Sequence, residues 1–445
     1  MNHHTPGASP VSAPASSERQ LVRAMGVVGL AAGIVNVTIG GGIFRLPAGA
    51  AAALGAGAPY AYVACALVMA LVVLCFAEAG SRVSLTGGLY AYVEVAFGPF
   101  VGFLTGALLY AGLTAAFAAV ASFFADSLGA LVPALAGGWP RGIALTVVLL
   151  LVGALNVAGV RGASRFNTAM TLAKLLPLLL LVVVGFAASR AEYLTITTPA
   201  PSSLARAAAF LIFAFLGVET ALVPSGEVKN PARTVPRAVF LALGVVVAIY
   251  LAVHLAAQGT LGPALATSKT PLADAAGVAM GGGGRMLVLV GSALSMFGYV
   301  SGMTLALPRM LFAFGRDGFL PPALAQVHPR FHTPAIAIAV QVVLTIALAL
   351  SGGFERLALI ANGAVLLAYA ACTAAAWQLR RLDVRQGGDI AFRNPLGPPA
   401  PVLALVAIAW LLTGLAVQEW IAVAIVAALA TGLYFARRKQ LTFVD

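Results

Sequence analysis

Three consecutive glycines, Gly40–Gly42, stand inside a long apolar stretch that reads "NVTIGGGIFRLP". Residues 24–55 carry a single charge, that of Arg45, and would otherwise form one membrane-spanning helix. Each glycine costs a helix about 1 kcal/mol relative to alanine, and Pro47 follows shortly. Close packing against a neighbouring helix is one explanation for such small residues. The other, which a run of three favours, is that the helix is interrupted here.

A second interruption is predicted five spans later, in "LIFAFLGVETALVPSGEVKNPARTVPRA". Gly217 and Glu219 disturb the apolar run there, and Pro224 follows. Transporters built from two inverted halves carry interrupted helices at corresponding positions in each half. Interrupted backbone at membrane depth is tolerated only where it is buried in protein or lines a cavity. The two interruptions together therefore predict a binding site.

The chemistry of that site follows from the ends of half-helices. Free N–H groups at a helix N-terminus attract anions, and freed carbonyls at a C-terminus attract cations. A zwitterion satisfies both, with its carboxylate on the amides of Gly40–Gly42 and its ammonium on the carbonyls of residues 213–216. The spacing therefore predicts a site for an α-amino acid.

Two ionisable residues lie deep in the predicted spans. Lys174 stands within "LAKLLPLLLLVVVGF", and an ammonium at mid-membrane costs about 2.5–3.5 kcal/mol on insertion scales. Snorkelling is the alternative, but a depth of about 15 Å, from about ten residues of helix, makes it unfavourable. Glu219 either hydrogen-bonds the interrupted backbone or acts as a proton-responsive link between the site and its surroundings.

The elements that position these residues are hydrophobic helices. Of 445 residues, 61% are hydrophobic and 9% are charged, whereas soluble domains carry roughly 25% charged residues. Runs of roughly 20 apolar residues predict about twelve spans. They lie near 24–49, 57–77, 99–125, 141–158, 165–187, 205–224, 236–259, 285–312, 334–351, 355–378, 400–417 and 420–436.

The predicted fold class is an all-α membrane protein with two inverted repeats of five helices. Helices one and six are discontinuous, and two further helices follow the repeats. The predicted segments are a disordered tail at 1–22, a first repeat at 23–190, a second repeat at 203–382, two additional helices at 398–437 and a second tail at 438–445.

The distribution of charge predicts the orientation. If the N-terminus is cytoplasmic, most of the 26 basic residues fall in the tails and the loops of the same side, as the positive-inside rule requires. Both termini are therefore expected in the cytoplasm of a multi-pass cell-membrane protein, in a bacterium the inner membrane. The net charge of +12 is explained by topology, and no nucleic-acid partner is expected.

Side chains in the third and eighth spans are candidates for selecting a substrate. The third span offers Tyr110 and Thr114, and the eighth, "FGYVSGMTLALP", offers Tyr299, Ser301 and Met303. None is acidic, whereas a pocket for arginine or lysine side chains would need a well-placed carboxylate. Neutral amino acids are therefore predicted, with cationic amino acids or polyamines as the alternative.

The predicted spans contain no residue pattern that indicates an enzyme. The sequence has no His-x-Glu motif, paired Asp or Ser/His grouping there, and the spacing of its 3 cysteines suits neither a zinc site nor a disulfide framework. We expect no enzyme activity, no cofactor and no metal.

The motifs resemble those of an amino-acid permease of the amino acid–polyamine–organocation superfamily. "GGGIFRLPA" is similar to the first-helix signature of that family, with Gly41 where a serine is usual. "CFAEAGSRVSLTGGLYAYVEVAFGP" and "NVAGVRGASRFNTAMTLAKLLPLLLLVVVGF" resemble the second-span loop and the fifth-span region. "FAFLGVETALVPSGEVKNPARTVPRA" and "ALPRMLFAFGRDGFLPPALAQVHPRFHTPAIAI" resemble the sixth span and the eighth-to-ninth connection.

The resemblance implies a leucine-transporter-like fold and alternating access. It implies substrate contacts at the backbone of Gly40–Gly42, at Thr38, and at Phe213 and Leu216 on the sixth span. Phe213 matches an aromatic gate over the substrate, although a packing or lipid-facing role is the alternative from periodicity alone.

The resemblance also gives Lys174 a role beside the unwound first helix. It implies that this lysine either carries a coupling proton or acts as a fixed charge that holds that helix. Because exchangers of the family also carry the lysine, proton symport and amino-acid exchange both remain open. A non-transporting amino-acid sensor is a remote alternative.

Overall fold

The structure is a computed structural model that describes residues 26–83, 89–158, 163–218, 231–385, 392 and 394–441. These residues form fourteen α-helices joined by turns and short 3-10 helices, and no strand occurs among them. The helices are α1 (Val27–Thr38), α2 (Leu46–Leu54), α3 (Ala58–Arg82), α4 (Leu89–Phe97), α5 (Pro99–Leu131), α6 (Gly138–Ala158), α7 (Ala163–Ala187), α8 (Pro201–Leu211), α9 (Pro231–Leu261), α10 (Pro271–Arg316), α11 (Ala335–Ser351), α12 (Phe354–Arg381), α13 (Pro399–Leu412) and α14 (Val417–Leu441).

Length and hydropathy make this a multi-pass membrane protein. Within the described ranges, seven helical stretches are long and apolar enough to cross a membrane, and five shorter apolar helices accompany them. Helices suit this setting because they satisfy their own backbone hydrogen bonds where no water is present. Each span predicted from hydropathy falls on a helix, the first on α1 and α2 and the sixth on α8.

The chain leaves the α-helical conformation at two places that bear on function. α1 ends at Thr38, and a 3-10 helix over Gly42–Phe44 leads into α2. α8 passes into a 3-10 helix over Ile212–Phe215. Gly217 follows with φ of 106°, a left-handed conformation that glycine adopts without strain.

Helices α5 and α12 pack against each other and against several further helices. Gly112 of α5 allows this close approach. A Cβ atom there would lie 2.6 Å from Cγ2 of Val365 and 3.0 Å from the carbonyl oxygen of Ala361, both on α12. Small residues at such contacts are how membrane helices gain van der Waals packing.

Helix α12 carries an ion pair near each end. Near its start, Glu355 accepts from Arg45 Nε at 2.9 Å, which links α12 to the segment before α2. Near its other end, Arg380 Nε donates to Glu78 of α3 at 2.6 Å, and Arg82 donates to the same carboxylate at 3.3 Å. The Glu78 side chain is only 1% exposed. Ion pairs thus link one end of α12 to the segment before α2 and the other end to α3.

Some predicted segments lie outside the described residues. The tail at 1–22 is one, and residues 442–445 of the predicted second tail are another. The part of that tail which the structure describes is helical, because α14 continues to Leu441.

Candidate functional site

A cavity lies between the interruption after α1 and the interruption after α8. The empty space within it, including space that is open to solvent, is about 330 Å³. It is lined by Thr38, Gly40, Gly41, Gly42, Ile43, Ala116, Val120, Phe213, Ala214, Leu216, Tyr250 and Tyr299. Both interrupted segments therefore face one space.

The α1 wall of the cavity presents backbone amides. The Gly40 amide donates to the Thr38 carbonyl at 2.8 Å. The amides of Gly41, Gly42 and Ile43 donate to no acceptor among the described residues, although all three residues line the cavity. These are the N-terminal groups of the turn that leads into α2, so they favour an anion.

On the α8 side, other parts of the protein satisfy several freed carbonyls. The buried Asn362 side chain of α12 donates to the carbonyls of Ala209 at 2.7 Å and Phe210 at 3.1 Å. The Leu216 amide donates to the Phe213 carbonyl at 3.3 Å. These bonds hold the end of α8 in place without help from a ligand.

Tyr250 of α9 connects the two interruptions. Its hydroxyl oxygen lies 2.9 Å from the Thr38 carbonyl oxygen and 2.8 Å from that of Ala214, and the side chain is fully buried. A hydroxyl has one proton and donates to one carbonyl at a time. The second carbonyl can therefore accept from another donor, such as an ammonium group in the cavity.

We expect Tyr250→Phe to slow transport about 5- to 150-fold. The loss of the hydroxyl removes the donor that the Thr38 and Ala214 carbonyls share, and a buried polar group that loses its partner costs about 1–3 kcal/mol. Initial rates of uptake into proteoliposomes measure the effect, and Tyr60→Phe, at an exposed tyrosine of α3, is the matched control. Equal rates for Tyr250→Phe and wild type would contradict this role.

Side chains pack tightly over the glycines of the cavity. A Cβ atom on Gly41 would lie 2.7 Å from Cγ of Met296 and 2.8 Å from Cγ1 of Val120. A Cβ atom on Gly42 would lie 3.0 Å from Cδ1 of Phe213. The site therefore excludes even a small side chain at Gly41 unless its neighbours move.

An aromatic layer covers one end of the cavity. Phe213 packs edge-on against Phe354 with ring centroids 5.4 Å apart, and Phe354 contacts Phe123 at 5.8 Å. The residue after Phe354 is Glu355, which pairs with Arg45. Aromatic layer and ion pair thus lie next to each other.

Of the predicted substrate contacts, Thr38, Gly40–Gly42, Phe213 and Leu216 line the cavity. The structure does not bring Met303 to it. Met303 is partly buried against the hydrophobic core, and Tyr299, about one helical turn earlier on α10, lines the cavity instead.

The side chains of the two predicted coupling residues lie outside the described part of the chain. Lys174 belongs to α7, but its side chain lies outside the part of the chain that the structure describes. Glu219 lies outside the described residues altogether.

Two candidates from the third span serve a helix contact. The Tyr110 hydroxyl lies 2.5 Å from Oε1 of Gln341 on α11, and Nε2 of Gln341 donates to Thr114 at 3.4 Å. Hydrogen bonds of this kind join membrane helices. We therefore assign Tyr110 and Thr114 to the contact between α5 and α11.

Several residues of the site were not singled out from the sequence. Three of them are Val120, Tyr250 and Met296, one each from α5, α9 and α10. Tyr250 carried a weak signal, a tyrosine inside an apolar span, but a tyrosine hydroxyl in a span can equally reach an interface. The other two are ordinary apolar residues.

The fold and the site together define a class of protein. An all-helical, multi-pass membrane protein with a cavity at the junction of interrupted helices has the arrangement of a transporter. The chain belongs to the amino acid permease family, whose model matches residues 25–435. Because members of this family are permeases, the chain is a transport protein and not an enzyme.

Curated relatives cover nearly the whole chain. The methylthioribose transporter of Bacillus subtilis is 28% identical over 437 residues, which is 94% of each chain. The serine/threonine exchanger SteT of Bacillus subtilis is 29% identical over 84% of this chain and 86% of its own. The branched-chain amino acid permease BcaP of Lactococcus lactis is 28% identical over 91% of this chain and 93% of its own.

Proposed function

We propose that this permease is a secondary active transporter of neutral amino acids that works by alternating access. The observation that carries the proposal is the pairing of free amides at Gly41 and Gly42 with the two carbonyls that share the Tyr250 hydroxyl. These groups match the carboxylate and the ammonium of an amino acid. Among the described lining residues none carries a carboxylate or a basic group, which favours a neutral side chain.

In this proposal the carboxylate lies against Gly40–Gly42, where it binds the free amides of Gly41 and Gly42 and the Thr38 hydroxyl, whose buried oxygen has no partner among the described residues. The ammonium binds the carbonyls beside Tyr250. Phe213 closes the cavity, and Leu216 contacts the substrate side chain. Met303 joins these contacts only in another conformation of the transport cycle, because it lies outside the lining seen here.

The proposed layout has twelve spans in two inverted repeats, at 23–190 and 203–382, with two additional helices at 398–437. The interruptions at the first and sixth predicted spans support this assignment. Both termini lie in the cytoplasm of a cell that is most simply a bacterium, with the protein in its inner membrane. The Arg45–Glu355 pair then marks the external side, and the Glu78–Arg380 pair marks the cytoplasmic side.

Protons are the proposed coupling ion, with Lys174 and Glu219 as the residues that respond to them. Support comes from their position in apolar sequence, since ionisable residues inside membranes mark ion pathways. Exchange without protons is the alternative. The similarity to a serine/threonine exchanger supports that alternative. The substrate, the lipid bilayer and the proton are the partners that this function requires.

Uptake into purified proteoliposomes tests the proposal. Vesicles with an empty lumen are given an inward proton gradient and a panel of labelled neutral, cationic and acidic amino acids. Methylthioribose belongs in the panel because a relative is named for it. Accumulation of neutral amino acids supports symport, and uptake only into preloaded vesicles supports exchange. Binding without flux in either arrangement would overturn the assignment as a transporter.

A further inference from the structure

One face of α9 carries a row of buried polar side chains. Tyr250, His254 and Gln258 follow one another at intervals of four residues, so they stand one above the next on the helix. Each is at most 4% exposed. The row covers about 12 Å at about 1.5 Å per residue. It begins at the cavity with Tyr250 and ends where Gln258 Nε2 donates to the Tyr193 carbonyl at 2.8 Å.

Several polar atoms along this row have no hydrogen-bond partner among the described residues. They are both ring nitrogens of His254, Oε1 of Gln258 and, from α3, the hydroxyl of Tyr62, although the side chains of His254 and Gln258 lie close enough to interact. The Tyr62 and His254 rings are in contact, with centroids 5.1 Å apart. Each unpaired buried polar group costs about 1–3 kcal/mol, so a cluster of four atoms requires a physical reason.

Among the described residues, no charged side chain of the neighbouring helices pairs with the unpaired atoms of this cluster. From α3, Tyr62 and Cys65 face the row, and Cys65 already donates to a backbone carbonyl. The described side chains of α1, α2 and α7 include none that is ionisable. On α10 the acidic side chain is Asp274, which is paired with Arg285. At the surface end the ionisable groups are the phenol of Tyr193 and the exposed pair Arg190–Glu192, and the Arg190 amide donates to the Gly259 carbonyl of α9 at 2.9 Å.

We propose that the row is a proton pathway from the external surface to the cavity, with His254 as its proton-binding residue. Water hydrogen-bonded to the unpaired atoms connects His254 with Gln258 on one side and Tyr250 on the other. His254 takes up a proton at one ring nitrogen and releases the proton of the other, so the imidazole returns to its neutral form. A change in the protonation of His254 alters the hydrogen bonding of Tyr250. This affects both interrupted helices, because the Tyr250 hydroxyl lies between the Thr38 and Ala214 carbonyls.

This inference rests on the proposed transport function and adds the route of the proton. The test uses the full chain in proteoliposomes, with two measurements for every variant. One is uptake into empty vesicles under an inward proton gradient, and the other is amino-acid exchange at equal pH. We expect His254→Gln to lower gradient-driven uptake at least tenfold and to leave exchange within about threefold of wild type, because exchange moves no net proton.

A second variant and a control keep the test decisive. Tyr62→Phe removes an unpaired hydroxyl, so it should fold normally and lower only gradient-driven uptake. His332→Asn removes an exposed histidine with φ of 53°, a conformation that asparagine tolerates, and should change neither measurement. Wild-type gradient-driven uptake in His254→Gln, or a parallel loss of both activities, would overturn the pathway. Exchange without any proton-driven uptake in wild type would overturn it too, whereas absence of both activities would overturn the transport function itself.

Discussion

Replacement of Gly41 by alanine is expected to reduce amino-acid uptake about 5- to 150-fold. The new Cβ atom would lie 2.7 Å from Met296 Cγ and 2.8 Å from Val120 Cγ1, distances that real Cβ atoms essentially never show. The backbone itself is not the obstacle, because Gly41 has φ of −69° and ψ of −24°, which alanine adopts readily. Overpacking of this kind costs about 1–3 kcal/mol, and here the cost falls on the segment whose amides are proposed to bind the substrate.

A glycine of the same interrupted helix supplies the control. Gly33→Ala adds the same methyl group to α1, where nothing lies within 4 Å, so uptake should stay within about twofold of wild type. The pair Gly41→Ala and Met296→Ala should recover part of the lost activity, because it removes one of the two side chains that the methyl group meets and leaves Val120 in place. A Gly41→Ala protein with wild-type KM and maximal rate would show that this backbone does not hold the substrate.

Glu78→Ala is expected to produce the largest loss of stability. Its carboxylate is 1% exposed and binds Arg380 of α12 and Arg82 of its own helix. Removal of one partner of a buried ion pair costs about 3–5 kcal/mol, because Arg380 loses its carboxylate and Arg82 keeps, among the described residues, only Asp383, at 3.6 Å. For a chain of this size we expect the apparent unfolding temperature to fall by about 3–5 °C.

The chain contains its own reporters for this measurement. The cysteines Cys65, Cys75 and Cys372 are all free and buried, so a thiol-reactive dye reports their exposure as the detergent-solubilised protein unfolds. Glu192→Gln is the matched control, since Glu192 pairs with Arg190 at the surface with both side chains 67% exposed. That change should shift stability by at most about 1 kcal/mol. Equal shifts for the two variants would mean that the buried pair does not hold α3 and α12 together.

Much of the fold was predictable because the membrane restricts the choices. A helix that spans a membrane must be apolar, so each predicted apolar run falls on a helix, but α4 was not predicted and α10 begins at Pro271 rather than near 285. The interruption at Gly40–Gly42 was predictable for a similar reason, since three adjacent glycines oppose a helix. The bounds were less accurate where length was ambiguous, as at α8, which ends at Leu211 and continues as a 3-10 helix.

The site was only partly predictable, because its remaining members come from distant parts of the chain. Tyr250 bonds to Thr38 across 212 residues of sequence, and no local pattern encodes such a contact. Met303 was predicted because it lies in the eighth span. Periodicity indicates which face of a helix a residue occupies, but it does not indicate how far along the helix the cavity lies. Tyr299 occupies the position at the cavity. Tyr110 illustrates a further limit, because a polar residue in a span can serve packing between helices as well as a substrate.

In the proposed site, backbone groups of two interrupted helices bind the carboxylate and the ammonium of an amino acid. Competition with labelled L-alanine uptake in proteoliposomes tests it most directly. Unlabelled L-alanine should compete fully. L-alaninamide lacks the carboxylate and N-acetyl-L-alanine lacks the ammonium, so each should compete about tenfold more weakly or worse. Each derivative loses a set of charge-assisted hydrogen bonds worth about 1.5–3 kcal/mol. Competition by either derivative as strong as that of L-alanine would contradict the claim.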